Sequence, residues 1–117
     1  MNMSVRKSEN TRIVDLTGDV DLSGAPQLRK LLFEALKESP NVLINLTAIR
    51  YIDSSGIAVM IEALRESQRL KRRFVLFGMN PRVHDVFKLT HVMQIFQVVD
   101  TEEQALATGN SHAGREG

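Results

Sequence analysis

The sequence predicts one α/β domain whose strands alternate with helices and are largely parallel in the second half of the chain. Strand-like runs of apolar or β-branched residues occur at Ile13-Val14, Val42–Leu46, Phe74–Phe77 and Ile95–Val99. Stretches with apolar residues at i, i+3, i+4 and i+7, the spacing of one helical face, lie between the runs in the first two-thirds of the chain. The chain has 117 residues, of which 43% are hydrophobic, and this is enough for one domain with a core. We therefore expect the order β-β-α-β-α-β-α-β-α.

The composition argues against several classes of function. A formal net charge of +1 gives no general attraction to nucleic acid or to a membrane surface. Without cysteine there is no disulfide and no thiolate metal site. The N-terminus lacks the apolar segment of a secretory signal, and no run approaches the ~18 apolar residues of a membrane span. We expect a cytoplasmic protein with no nucleic-acid partner and no membrane insertion.

Two strands are expected in the first twenty residues. A short edge strand precedes a turn at 8–10, and a second strand runs from Thr11 to about Leu16 because Ile13 and Val14 favour extended backbone. The polar, glycine-containing stretch at 18–21 should end that strand.

The first helix is expected to open with Ser23 as its cap and Pro26 in its first turn. Its buried stripe is Leu28, Leu31, Leu32 and Ala35. Ser39-Pro40 should end it, because the residue before proline disfavours helical backbone. The strand Val42–Leu46 follows, and Thr47–Arg50 is expected to be a connector.

The stretch Tyr51–Gly56 leads directly into the central helix, which should extend to about Leu70. The apolar stripe of this helix is Ile57, Met60, Ile61 and Leu64. Asp53, Ser54 and Ser55 are all good cap residues, and Gly56 leaves the backbone open to close approach. Two hydroxyls are therefore expected where free helical N–H groups would tolerate a phosphate. The same run also fits a cap and a turn with no further role.

The remaining elements follow from local signals. Phe74–Phe77 should be an inner strand, Asn80-Pro81 should cap a short helix, and Ile95–Val99 should be the last strand. Thr101–Gln104 forms the pattern of a capping box for a terminal helix through about Leu106. The domain is expected to cover residues 1–107, with a flexible tail at 108–117.

Enzyme activity is not expected. A hydrolytic site needs a nucleophile, a base and an orienting group. Ser54 and Ser55 supply hydroxyls, but no spacing ties His84, His91 or His112 to them. The G-x-S-x-G elbow is absent because Ile52-Asp53 precede Ser54, where that motif needs a glycine.

No cofactor or metal site is expected either. The histidines are not paired at ligand spacing, and there is neither a P-loop nor a G-x-G-x-x-G motif. The basic cluster Arg69, Lys71, Arg72 and Arg73 is best explained by a helix C-terminus, where cations suit the helix dipole.

Taken together, three motifs resemble the STAS domain family, and within it the small single-domain anti-sigma factor antagonists. They are Leu16–Leu22 (LTGDVDL), Val42–Leu46 (VLINL) and Tyr51–Ile57 (YIDSSGI), followed by weaker similarity at Phe77–Pro81 and Phe87–Leu106. The resemblance covers about Met3 to Leu106. It implies the STAS fold, a mixed β-sheet with helices packed mainly on one face.

The resemblance implies a switch between partners rather than catalysis by this chain. Unphosphorylated, such a protein binds an anti-sigma factor that is also a serine kinase of the GHKL type, and so frees a sigma factor. Phosphorylation releases the partner, and a PP2C-type phosphatase resets the cycle. By position, the phosphorylated residue is Ser54. The partner-binding residues implied are Asp21, Asp53, Ser54, Ser55 and Gly56.

Two departures from the family pattern and one alternative function accompany this resemblance. Asn45 stands where many relatives have aspartate, and Thr90-His91 replace a turn containing serine or glycine.

Small STAS proteins also serve as accessory subunits on the ATPase of a lipid ABC transporter or in other signalling assemblies. In those settings the hydroxyl need not be phosphorylated.

Overall fold

The computed structural model describes residues 1–107, which contain a five-stranded sheet in the order β1-β2-β3-β4-β5. The strands are β1 (Asn2–Ser8), β2 (Thr11–Val20), β3 (Asn41–Ile52), β4 (Arg73–Phe77) and β5 (Gln97–Val99). The helices are α1 (Ala25–Glu38), α2 (Ser54–Leu70), α3 (Pro81–Leu89) and helical residues 102–107, called α4, with a 3-10 turn at Met93–Ile95. The predicted α/β class and element order are confirmed. The predicted tail and His112 lie outside the described residues.

The sheet is mixed because β1 runs antiparallel to β2, whereas β2, β3, β4 and β5 are mutually parallel. Side chains alternate between its faces, so that Val42, Ile44 and Leu46 enter the main core with the buried residues of α1, α2 and α3. A smaller cluster lies on the other face and includes Leu43 and Ala105 of α4. Most helical packing is therefore on one face, as expected.

The predicted connector at 47–50 is wrong, because β3 continues through it to Ile52. The register between β2 and β3 shifts near Asp15–Thr17, and the Thr47 amide donates to the side chain of Asn45 at 3.0 Å. This irregularity leaves Thr47 and Ala48 exposed side by side, which hides the strand alternation in the sequence. The second strand also extends beyond its predicted end near Leu16, because β2 continues to Val20. Gly18 lies within the strand with a positive φ of 90°, which glycine adopts without strain.

The cap of α1 was also predicted wrongly. Gly24 is the N-cap and, as a glycine, has no side chain to make a cap bond. The hydroxyl of Ser23 donates to Asp21 at 2.7 Å. The predicted caps of α3 and α4 are confirmed. Asn80 accepts from the Val83 amide at 2.8 Å, and Thr101 accepts from the Gln104 amide at 3.1 Å.

Two arginines of the basic cluster after α2, Arg72 and Arg73, bond to other elements of the fold, which their position near the end of α2 did not predict. Arg72 donates to the Leu36 carbonyl at 2.8 Å. This carbonyl lies in the last turn of α1, where carbonyl groups lack partners within the helix. Arg73 donates to the side chain of Asn41 at 3.2 Å and to the Ala105 carbonyl at 3.1 Å. These guanidinium groups therefore join helices to the sheet.

A polar network links β1, β2, β3 and α4. Arg6 donates to both carboxylate oxygens of Asp15 at 2.7 and 2.8 Å, and to Glu102 at 2.7 Å. Asn45 donates its side-chain amide to Asp15 at 2.7 Å. An aspartate at position 45 would place another carboxylate against that of Asp15 and would repel it. The neutral amide of Asn45 avoids this repulsion.

Candidate functional site

Asp53 links the end of the sheet to the start of α2. Its amide donates to the Val20 carbonyl at 3.0 Å, which holds the chain beside the last residue of β2. Its carboxylate accepts from the amides of Ser55 and Gly56 at 2.9 and 3.1 Å. Asp53 is therefore the N-cap, and Ser54 and Ser55 are the first two helical residues.

The side chain of Ser54 is exposed at this helix end, whereas Ser55 is half-buried. Within residues 1–107 the Ser54 hydroxyl makes no hydrogen bond to another residue. It lies at the positive end of the dipole of α2, which has 17 residues. A group attached to this oxygen can point into solvent without displacing any part of the fold.

Gly56 is buried, and the space above its Cα is already filled. A Cβ at this position would lie 2.6 Å from Cγ1 of Ile52 and 2.7 Å from Cγ1 of Val20. The close approach expected at Gly56 therefore takes place inside the fold, between α2 and the two strands. Contact of Gly56 with a partner stays a prediction.

Asp21 lies just beyond β2, next to the residue whose carbonyl holds Asp53. Its carboxylate accepts from the hydroxyl of Ser23 at 2.7 Å and from the Ser23 amide at 3.1 Å. These hydrogen bonds, the hydroxyl's first, hold the pKa of Asp21 below its ordinary value. The loop that follows β2 thus presents an ionised carboxylate at the same end of the sheet as Ser54.

Sequence reasoning missed two exposed apolar side chains beside these groups. Leu22 is 73% exposed and Tyr51 is 43% exposed, although both residue types usually bury much of their surface. The sequence signal that could have indicated an exposed Leu22 was its position between Asp21 and Ser23, in the loop that joins β2 to α1. Tyr51 was expected in an extended segment, which the end of β3 confirms.

The other chemical candidates do not converge on Ser54. His84 and His91 are both exposed, and no hydrogen bond in the described part of the chain joins either to a serine. Across residues 1–107, no group of three or more histidine, aspartate or glutamate side chains could hold a metal ion. No helix within this range has the length and apolar character needed to cross a membrane.

Curated relatives align with nearly the whole chain. An anti-sigma-B factor antagonist of Listeria monocytogenes is 29% identical over 106 residues, which cover 87% of this chain and 93% of the relative. The anti-sigma-B factor antagonist of Bacillus subtilis is 24% identical over 98 residues, covering 84% and 90%.

Solved structures show the same fold. The anti-sigma factor antagonist SpoIIAA in its unphosphorylated form has a TM-score of 0.80 at 21% identity, over 94% of this chain and 97% of that chain. The phosphorylated form of the Bacillus SpoIIAA has a TM-score of 0.70 at 21% identity, over 91% and 97%.

The family model described as the STAS domain matches residues 2–105. This range contains every strand of the sheet as well as the Asp53–Gly56 turn. The chain belongs to the STAS domain family.

Proposed function

We propose that this protein is an anti-sigma factor antagonist that binds its anti-sigma factor when Ser54 is unmodified. The observation that carries this proposal is the exposed Ser54 hydroxyl at the first position of α2, immediately after the Asp53 cap. The antagonist names of the curated relatives support the same function. The chain acts here as a binding module and as the substrate of a partner enzyme, in the cytoplasm.

The bound partner is a serine kinase of the GHKL type, and it transfers a phosphoryl group to the oxygen of Ser54. A phosphoserine carries about −1.5 to −2 charges near neutral pH. The N-terminus of a helix accommodates such an anion, so the domain stays folded. A PP2C-type phosphatase then removes the group and restores the binding form.

Release follows from repulsion at the interface. Asp21 and Asp53 lie at the same end of the sheet, and the partner would bring further acidic groups near the phosphate. One contact between like charges at ~4 Å costs roughly 4 kcal/mol at an effective dielectric of ~20, which corresponds to about a thousandfold loss of affinity. The partner can therefore leave without a change of fold.

The test is to capture the anti-sigma factor from the native cell with the tagged, dephosphorylated protein, and to measure its affinity for purified variants. Ser54→Ala should bind like the wild type and accept no phosphate, whereas Ser54→Asp should bind much more weakly. Ser8→Asp is the matched control, because Ser8 is exposed at the opposite end of the strands and its substitution adds the same charge.

Two results would overturn the proposal. One is Ser54→Asp binding as tightly as the wild type. The other is incubation of the complex with ATP placing phosphate on a residue other than Ser54, as read by mass spectrometry.

A further inference from the structure

A shallow open pocket of about 430 Å³ lies at the start of α3 and is lined by Arg50, Asn80, Pro81 and Arg82. The two uncharged residues are already committed to the fold. Asn80 donates its amide to the Ile49 carbonyl at 2.7 Å and accepts from the Val83 amide at 2.8 Å, and proline has no N–H. The groups of this pocket that remain for a ligand are the two guanidiniums.

The two arginines differ in whether a carboxylate lies nearby to offset their charge. Arg50 lies 3.3 Å from the carboxylate of Asp19, an ion pair in which both side chains are well exposed. Arg82 is exposed and has no ion pair with any residue in 1–107. Two cations lining one pocket repel each other, and an anion between them removes that repulsion. A guanidinium also matches a carboxylate with two parallel hydrogen bonds.

The pocket lies at the same end of the parallel strands as Ser54. Arg50 precedes Ser54 by four residues, and Asn80 holds the first turn of α3 against β3 just before that strand ends. The acidic side of this surface, Asp19 and Asp21, lies on and beyond β2, whereas the basic side lies between β3 and α3. A protein that covers Ser54 is therefore within reach of both sides.

We propose that this pocket, defined by Arg50 and Arg82, is a second docking point for the same anti-sigma factor and takes a glutamate or aspartate side chain from it. The inference rests on the proposed function and adds the chemistry of one contact. The contact lies outside the phosphorylated turn, so it contributes affinity and selects a partner that carries an acidic group at the matching place. A partner with a basic residue there is rejected by repulsion.

Arg82→Glu is the decisive variant. A glutamate in the first turn of α3 suits the helix dipole, so this change should not weaken the fold, and thermal unfolding checks that point. The affinity for the captured anti-sigma factor should fall roughly 10- to 100-fold, as expected for a lost charge-assisted hydrogen bond, and should depend less on salt.

Arg65→Glu is the matched control. Arg65 is exposed and has no ion pair with a described residue, and it lies 11 residues along α2 from Ser54, about 16 Å at the rise of an α-helix. This variant has the same change in net charge and should bind like the wild type.

A partner variant in which the contacting carboxylate is replaced by lysine should recover affinity for Arg82→Glu and lose it for the wild type.

The possible outcomes separate this inference from the proposed function. If the wild type binds the anti-sigma factor and Arg82→Glu binds equally well, the docking inference is wrong and the proposed function stands. If no anti-sigma factor binds the wild type, both fall. If inorganic phosphate shifts the Nε–H signals of Arg50 and Arg82 while Arg82→Glu leaves the affinity unchanged, the pocket is an anion site of another kind and the docking inference is overturned.

Discussion

At the scale of single residues, the side chain that Gly56 lacks would collide with Ile52 and Val20. We predict that Gly56→Ala destabilises the domain by about 1–3 kcal/mol, the usual effect of overpacking, although alanine favours a helix over glycine. Urea unfolding measures this change. Ser54→Ala, at an exposed position two residues earlier, should stay within about 0.5 kcal/mol of the wild type. An alanine at position 56 that leaves stability unchanged or raises it would contradict the packing seen here.

Asp53 combines a structural role with a charge beside Ser54, the residue proposed to be phosphorylated, and two substitutions separate these roles. Asp53→Ala should cost about 1 kcal/mol of stability because the amides of Ser55 and Gly56 lose their acceptor. Asp53→Asn keeps an acceptor without the charge and should retain most of the stability. Urea unfolding of both variants provides the comparison, and equal losses in the two would show that the cap is not what Asp53 contributes.

At the scale of elements, the sequence predicted the order and type of the strands and helices, because their apolar stripes have clear periods. It missed residues 47–50 of β3, because the Thr47 amide bonds to the side chain of Asn45 and two adjacent exposed residues interrupt the regular alternation. It also chose Ser23 as a cap, since a serine before a helix usually serves that purpose. Here the hydroxyl of Ser23 donates to Asp21, and the helix begins one residue later with Gly24 as its cap.

The link of Arg6 to Asp15 and Glu102 joins the edge strand to α4 and makes stability depend on pH. The guanidinium of Arg6, and to a lesser extent the amide of Asn45, hold the pKa of Asp15 below its ordinary 3.8. A carboxylate with a lowered pKa in the folded state stabilises the fold above its unfolded value, near ~3.9. That contribution disappears as the pH falls through the lower folded value.

We predict that Arg6→Gln lowers stability by about 1 kcal/mol or less at neutral pH, because the pair is partly exposed. The difference from the wild type should shrink as the pH falls below about 4. Urea unfolding over a series of pH values tests this, with Arg65→Gln as a control that should show no such trend. A difference that stays constant into acid would mean that Arg6 acts through packing alone.

At the scale of the whole molecule, the site could be located from the sequence, but the surface around it could not. The run Asp53-Ser54-Ser55-Gly56 carries cap residues and precedes an apolar helix, so its place at a strand-to-helix turn followed from local rules. The exposure of Leu22 and the pairing of Arg50 with Asp19 depend on how separate strands align. Their positions became evident only from the register between β2 and β3.

The fold should tolerate the phosphorylated state. We predict that phosphorylation of Ser54 changes the free energy of unfolding by no more than about 1 kcal/mol, because the helix dipole favours the added charge. Thermal unfolding of the modified and unmodified protein tests this, and amide NMR shifts should change around residues 53–57 and little elsewhere. Widespread shift changes, or a large loss of stability, would show that release of the partner involves unfolding.

The unequal lengths of β3 and β4 bear on how enzymes would reach Ser54 if it is modified as proposed. Pairing with β4 ends at Asn45, so the last seven residues of β3 extend past β4, with β2 on one side and Asn80 bonded to the Ile49 carbonyl on the other. Ser54 follows the end of this strand by two residues, and its side chain is exposed at the start of α2. If Ser54 is modified as proposed, a kinase and a phosphatase can each reach its oxygen from solvent, and neither needs the domain to open.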